Sequence, residues 1–79
     1  MKAKIHVTLK SGILDPQGKA IEHALETLGF TNAANVRVGK YMELDVKEKD
    51  KGKAEAEVKA MCEKLLANTI IEEYRYELQ

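Results

Sequence analysis

Few residues of this 79-residue sequence have the types and spacing that chemistry requires, and each has a plain structural role open to it. Histidine is the side chain whose ordinary pKa lies nearest neutrality, and there are two, His6 and His23. His6 falls on the polar side of an alternating segment. His23 lies beside the apolar stripe of a helix, near Lys19 and Glu26. Neither has an obvious neighbour to orient its ring as a general base. The one cysteine, Cys62, sits among Met61, Leu65 and Leu66, a setting that keeps a thiol protonated and packed rather than nucleophilic. It has no second cysteine for a disulfide or a Cys-x-x-Cys metal site. No Gly-x-Gly-x-x-Gly or Gly-x-x-x-x-Gly-Lys loop is present to cradle a phosphate, and no carboxylates cluster beyond ordinary surface spacing. Tyr41, Tyr74 and Tyr76 offer stacking platforms, but the segment bearing Tyr74 and Tyr76 carries Glu72, Glu73 and Glu77 against Arg75 alone, the wrong charge for single-stranded nucleic acid. The expectation is a chain with no catalytic residue, no metal ligand set and no cofactor of its own.

The bulk properties point the same way. Thirteen Lys and Arg balance thirteen Asp and Glu, so nothing steers the chain to nucleic acid or to an anionic membrane surface. The apolar runs are far shorter than the ~20 residues that span a bilayer. The N-terminus is a charged amphipathic segment without a signal peptide's apolar region, and a reducing cytoplasm is the expected location. A chain of this length makes one domain over residues 1–79 and buries only about 60% of its unfolded surface, so a partner chain would add to a marginal stability.

The elements follow from periodicity. Residues 2–9 alternate, with Ala3, Ile5, Val7 and Leu9 on one side and Lys2, Lys4, His6 and Thr8 on the other, the pattern of a half-buried strand. Ser11 and Gly12 break it, and Ile13 and Leu14 follow in a loop. Asp15 can cap the free amides of a helix whose first position, Pro16, has no N–H to leave unsatisfied. Ile21, Ala24, Leu25 and Leu28 then form an apolar stripe that ends at Gly29. After a polar connection over 30–35, Val36, Val38, Met42, Leu44 and Val46 describe a long second strand, with a bulge or bend expected at Gly39-Lys40. The mixed charges of 47–53 read as a wet turn, Asp50 caps a second helix, and Ala54, Val58, Met61, Cys62, Leu65 and Leu66 form its inner face. A third strand runs from Ile70 to Leu78, with its start blurred around Glu72-Glu73. The order β-α-β-α-β implies an α+β two-layer sandwich, two helices on one face of an antiparallel sheet, related to the ferredoxin-like group. Three strands leave open edges, and a long bent second strand is a route to a homodimer.

Two segments carry a family resemblance: Gly-Ile-Leu-Asp-Pro-Gln-Gly-Lys-Ala-Ile at 12–21 and Val-Arg-Val-Gly-Lys-Tyr-Met-Glu-Leu at 36–44. Together they resemble the small PurS subunit of phosphoribosylformylglycinamidine (FGAM) synthase, end to end in length and element order. The resemblance implies a non-catalytic subunit of a purine-biosynthetic ligase. As a dimer, it would bridge an ATP- and Mg-dependent synthetase (PurL) and a glutaminase (PurQ) that supplies ammonia from glutamine. Partner or dimer contacts are expected at Gly12, Ile13, Leu14, Asp15, Pro16, Gln17 and Gly18, the loop and helix start, and at Arg37, Val38, Gly39, Lys40, Tyr41 and Met42, on the strand through which the homodimer is expected. From residues alone, Ile13 and Leu14 have two roles open to them, closure of the core or docking on another protein. A regulatory ligand-binding module of the ACT type shares the size and element order. An acylphosphatase-like enzyme would need an arginine in the loop after the first strand, where Ser11, Gly12, Ile13 and Leu14 stand instead.

Overall fold

The computed structural model describes residues 1–79. Its elements are β1 (Lys2–Leu9), α1 (Pro16–Thr27), β2 (Gly39–Asp45), α2 (Lys51–Met61) with a π-helical turn over Cys62–Leu66, and β3 (Glu72–Leu78). The strands form one antiparallel sheet in the order β2-β1-β3. This is the expected β-α-β-α-β architecture, and β1 is its axis. Ala3, Ile5 and Val7 point to one face, where they are fully buried beneath α2. Register sets Leu44, Met42 and Lys40 beside them from β2, and Leu78, Tyr76 and Tyr74 from β3. Lys4, His6 and Thr8 point the other way, to solvent.

Helix α2 closes the core because its i, i+4 row is small and apolar. Asp50 caps it, accepting hydrogen bonds from Gly52 N (2.9 Å) and Lys53 N (3.4 Å), as its position implies. Ala54, Val58 and Cys62 are buried, packed in one cluster with Ala3, Ile5, Val7, Val46 and Ala67. The helix then widens. Ala67 N–H bonds to Cys62 O, five residues back, so the turn is π rather than α. Ala67 and, in part, Leu66 reach the core, while Leu65 is left 82% exposed. The expected inner face thus loses Leu65, and Met61 lies at its margin.

The third strand begins two residues later than the apolar pattern suggests. Asn68 organises a tight turn, its Oδ1 accepting from Ile70 N and its carbonyl from Ile71 N and Glu72 N. Ile70 and Ile71 are therefore in the turn, and pairing begins at Glu72.

Helix α1 has the expected ends. Pro16 is its first residue, and Gly29 (φ +98°) closes it in a Schellman arrangement, with Phe30 N bonding to Leu25 O and Gly29 N to Glu26 O. Its stripe does not lie on the sheet of its own chain. α1 makes only marginal contact with the other elements, Gly18 is its one buried residue, and Leu28 stays 73% exposed. The molecule is accordingly long and thin, 50 × 24 × 14 Å. Its radius of gyration is 16.0 Å, against about 12 Å for a compact chain of this length. Within one chain α2 alone covers the sheet, and α1 extends from it as an arm.

The core generates a contrast that mutagenesis can read. Ile5→Ala, at a fully buried position, should cost about 2–5 kcal/mol in chemical denaturation. Leu65→Ala, on the exposed side of the π turn, should stay within about 0.5 kcal/mol.

Candidate functional site

The two motif segments meet at one side chain. Asp15 is half-buried at the N-terminus of α1, and its carboxylate divides between two partners. Oδ1 accepts from Gly18 N at 2.8 Å, the helix cap, and Oδ2 accepts from Val38 N at 2.8 Å, on the segment leading into β2. Those bonds hold the carboxyl below the usual carboxylate range, the Val38 amide contributing most and the Gly18 amide next. About two turns along the helix, Glu22 repeats the device, its Oε1 accepting from Asn35 N at 2.6 Å. The return segment thus runs antiparallel to α1 and is hooked to it by two carboxylates.

This arrangement corrects the expected strand boundary. The second strand begins at Gly39 rather than Val36, because the amides of Asn35 and Val38 are taken by side chains of α1 instead of a neighbouring strand. Gly39-Lys40 is the start of pairing, in unbroken register from Thr8↔Gly39 to Lys2↔Asp45, and no bulge interrupts it. Asn35 takes the left-handed conformation (φ +57°) that asparagine tolerates well.

Two glycines make the close approach possible. A Cβ on Gly18 would fall well inside contact distance of the Val36 carbonyl oxygen and 2.9 Å from Asp15 Oδ2. A Cβ on Gly39 would come 2.5 Å from Val7 O. Arg37 then ties the base of the arm to the sheet, donating to Leu9 O and reaching Glu73 Oε1 at 3.4 Å.

Around this hinge the motif residues separate by exposure. Gly12 (φ +87°) turns the chain, and Leu14 stands 73% exposed with Ile13 at 40%. Core closure by these two side chains is excluded at those exposures. Pro16 and Gln17 are exposed at the helix start, Val38 and Met42 are partly buried, and Lys40 and Tyr41 are exposed. Lys40 reaches Glu72 at 3.9 Å across β1. Sequence reasoning missed the contribution of the outer sheet face. There His6 is in register with both Tyr41 and Arg75, its ring 4.7 Å from that of Tyr41, and these residues line an open basin with Thr8, Arg37 and Glu73. The alternation of β1 marked His6 and Thr8 as outward-facing, but pairing register with two distant strands decides their neighbours.

The residues with chemical potential remain apart. Cys62 is buried, and burial, then the charge of Glu63, pushes its thiol pKa up, away from a nucleophilic thiolate. Tyr74 donates to Glu63 at 3.4 Å, and its hydroxyl is raised first by burial and then by that charge. His23 is exposed on α1, far in sequence and element from His6. No three His, Cys, Asp or Glu side chains converge as a metal site. No helix is long and apolar enough to cross a membrane.

Fold and site together define a small α+β module whose distinctive geometry is an arm and an exposed loop, rather than a reacting constellation. Comparison with known proteins gives the family. The family model for PurS, phosphoribosylformylglycinamidine (FGAM) synthase, matches residues 2–79. The PurS subunit of Bacillus subtilis is 51% identical over 78 residues, covering 99% of this chain and 92% of that protein. A crystal structure of B. subtilis PurS superposes with a TM-score of 0.90, covering 99% of this chain and 96% of that one. The structure of PurLQS from Thermotoga maritima contains a chain 37% identical to this one, with a TM-score of 0.88 and coverage of 96% and 93%. The chain belongs to the PurS family of FGAM synthase subunits.

Two outcomes test the hinge. Alanine is favoured over glycine in a helix by about 1 kcal/mol, yet Gly18→Ala should lower the thermal midpoint because the methyl group drives Val36 away from the helix start. The Asp15 pKa is lower folded than unfolded, so its contribution to stability is complete above the unfolded value of about 3.9 and is lost as pH falls through the folded value. Asp15→Asn should therefore destabilise at neutral pH and remove part of the acid limb of the stability curve below about pH 4.

Proposed function

We propose that this chain is the non-catalytic bridging subunit of an FGAM synthase in purine biosynthesis, holding a glutaminase and an ATP-dependent synthetase so that ammonia passes between them. The observation that carries the reading is the loop at Ile13 and Leu14. It is apolar, exposed, and fixed beside a helix start that Asp15 and Gly18 define tightly. An apolar protrusion on rigid support is a docking feature rather than a catalytic one. Membership of the PurS family supports the partner identities, and the PurLQS complex of T. maritima supplies the precedent for a three-component assembly. The family match does not favour the ACT-type reading.

In this reading ATP, Mg and glutamine are handled by the other two subunits and this chain holds no cofactor. Its contribution is positional: two active sites held in fixed relation convert the capture of free ammonia into transfer within one assembly. The assembly works in the cytoplasm. The chain acts as a homodimer or a higher homo-oligomer, since β2 is an open sheet edge and the stripe of α1, with Ile21 and Leu28 exposed, has no cover within one chain. Sedimentation at micromolar concentration should give twice the chain mass or a multiple, and Ile21→Glu should shift the protein toward monomer. A wild-type monomer throughout that range contradicts the dimer.

The bridging role has a more specific consequence. Leu14→Asp places a charge on an exposed position, so the thermal midpoint and dimerisation should hold, within about 0.5 kcal/mol of stability. In the reconstituted three-chain enzyme the same change should abolish glutamine-dependent synthesis and spare ammonia-dependent synthesis, because free ammonia needs no bridge to the glutaminase. Equal loss of both activities, or of neither, overturns the assignment of this loop.

A further inference from the structure

The inner face of the sheet is roofed over part of its width. Helix α2 lies on the buried row of β1 and packs against β3, with only marginal contact to β2. Tyr74 of β3 bonds to Glu63, which fixes that flank of the helical segment toward β3. Met61 stands about half a helical turn from Glu63, on the opposite flank, toward β2. The wider π turn carries Leu65 to the same flank, rotating it off the core row of Ala54, Val58 and Cys62. Beneath them Met42 and Leu44, partly buried on the inner side of β2, form a floor. The result is an apolar groove over β2, with Leu65 82% exposed on its wall.

The chain's own first helix does not fill this groove. At ordinary strand rise β1 is about 26 Å long, roughly half of the 50 Å length of the molecule, and the arm makes up the rest. Asp15 and Glu22 hook α1 to its own return segment, so the helix extends away from the sheet with Ile21 and Leu28 uncovered. Yet helix and groove match in length. The 12 residues of α1 span about 18 Å, and the 7 residues of β2 about 23 Å. One chain therefore carries an apolar helix without a floor and an apolar floor without a helix. A two-fold axis supplies both at once, because an isologous contact is made twice. An axis beside β2 also brings the open edges of two copies together, so the groove continues the edge already assigned to the homodimer. Any other occupant of the groove would leave α1 bare.

We propose that the groove is filled by α1 of a second copy of this chain, and that the exchange is reciprocal. Ile21 and Leu28 of one protomer lie over Met42 and Leu44 of the partner subunit, against Met61 and Leu65 of the partner subunit. The second helix of the two-layer sandwich is thus donated by the other chain, and the π turn directs Leu65 to the partner instead of the core. This rests on the homodimer reading and adds which surfaces meet.

Two experiments test the exchange. In protein mixed from methionine-methyl-labelled and unlabelled chains, isotope-filtered nuclear Overhauser effects should connect the labelled methyls of Met42 and Met61 to the Ile21 and Leu28 methyls of the other chain. The second is complementation. Ile21→Glu spoils the arm and Leu65→Glu spoils the groove, so each variant alone should dimerise at least tenfold more weakly than wild type in sedimentation. Leu65 adds little to folding of the separate chain, so this loss reads on assembly. In a mixed dimer one intact arm meets one intact groove, and an equimolar mixture should associate more tightly than either variant alone. If wild-type protein is monomeric throughout the micromolar range, the homodimer reading and the exchange fall together. If the dimer forms but the cross-chain effects are absent, the exchange is refuted while the homodimer stands. Leu65→Glu dimerising as wild type, or a mixture no tighter than its components, likewise overturns the exchange.

Discussion

A single carboxylate governs the shape of this protein. Asp15 sits where β1 has ended and α1 begins, and each of its oxygens takes one backbone amide, Gly18 within the helix and Val38 on the far side of the connection. An ordinary N-cap satisfies donors of its own helix only, as Asp50 does for α2. Asp15 performs that task and also fixes where the chain returns to the sheet. With Glu22 holding Asn35, it keeps residues 35–38 out of the strand ladder and binds them to the helix, so that pairing can begin only at Gly39. Gly18 and Gly39 are the two places where this closeness forbids a side chain.

The consequence is a molecule in two unequal parts. The sheet and α2 enclose a modest core of eight buried residues, three of them alanine. A core that small leaves a 79-residue chain near the margin of stability. The arm of α1 and its return segment adds almost nothing to that core, since its apolar stripe faces outward. Burial of Ile21 and Leu28 against another chain would recover free energy that folding alone leaves unused, at about 25 cal/mol for each Å² of apolar surface covered. The open β2 edge offers the same partner a hydrogen-bonding surface. Dependence on other chains is thus built into the fold, and it matches a role in which position rather than reactivity is the product.

Much of this was legible in the residues. The alternation of β1 gave its buried side, Asp15-Pro16 and Gly29 gave both ends of α1, and Asp50 gave the start of α2. These signals are local, and each depends on a few adjacent side chains. The misreadings arose where distant groups intervened. Val36 and Val38 keep a strand's alternation, but nothing in their own segment reports that Asp15 and Glu22 will capture the amides of 38 and 35. Leu65 fits a helical period of 3.6, and the π turn at Cys62 displaces it from the core. Ile70 and Ile71 read as strand because they are β-branched, while Asn68 folds them into a turn. The site shows the same division. The motif around Gly12–Gly18 and Arg37–Met42 was visible as two segments. Their junction, and the addition of His6 and Arg75, depend on register across three strands.

The role of Asp15 can be observed directly by following backbone amide proton shifts of Gly18 and Val38 by NMR through an acid titration. Both amides should lie downfield at neutral pH and move upfield together as the carboxyl protonates, with one shared midpoint below the ordinary aspartate value of about 3.9. An unresponsive Val38 amide, or one that titrates apart from Gly18, would contradict a carboxylate shared between the helix start and the return segment.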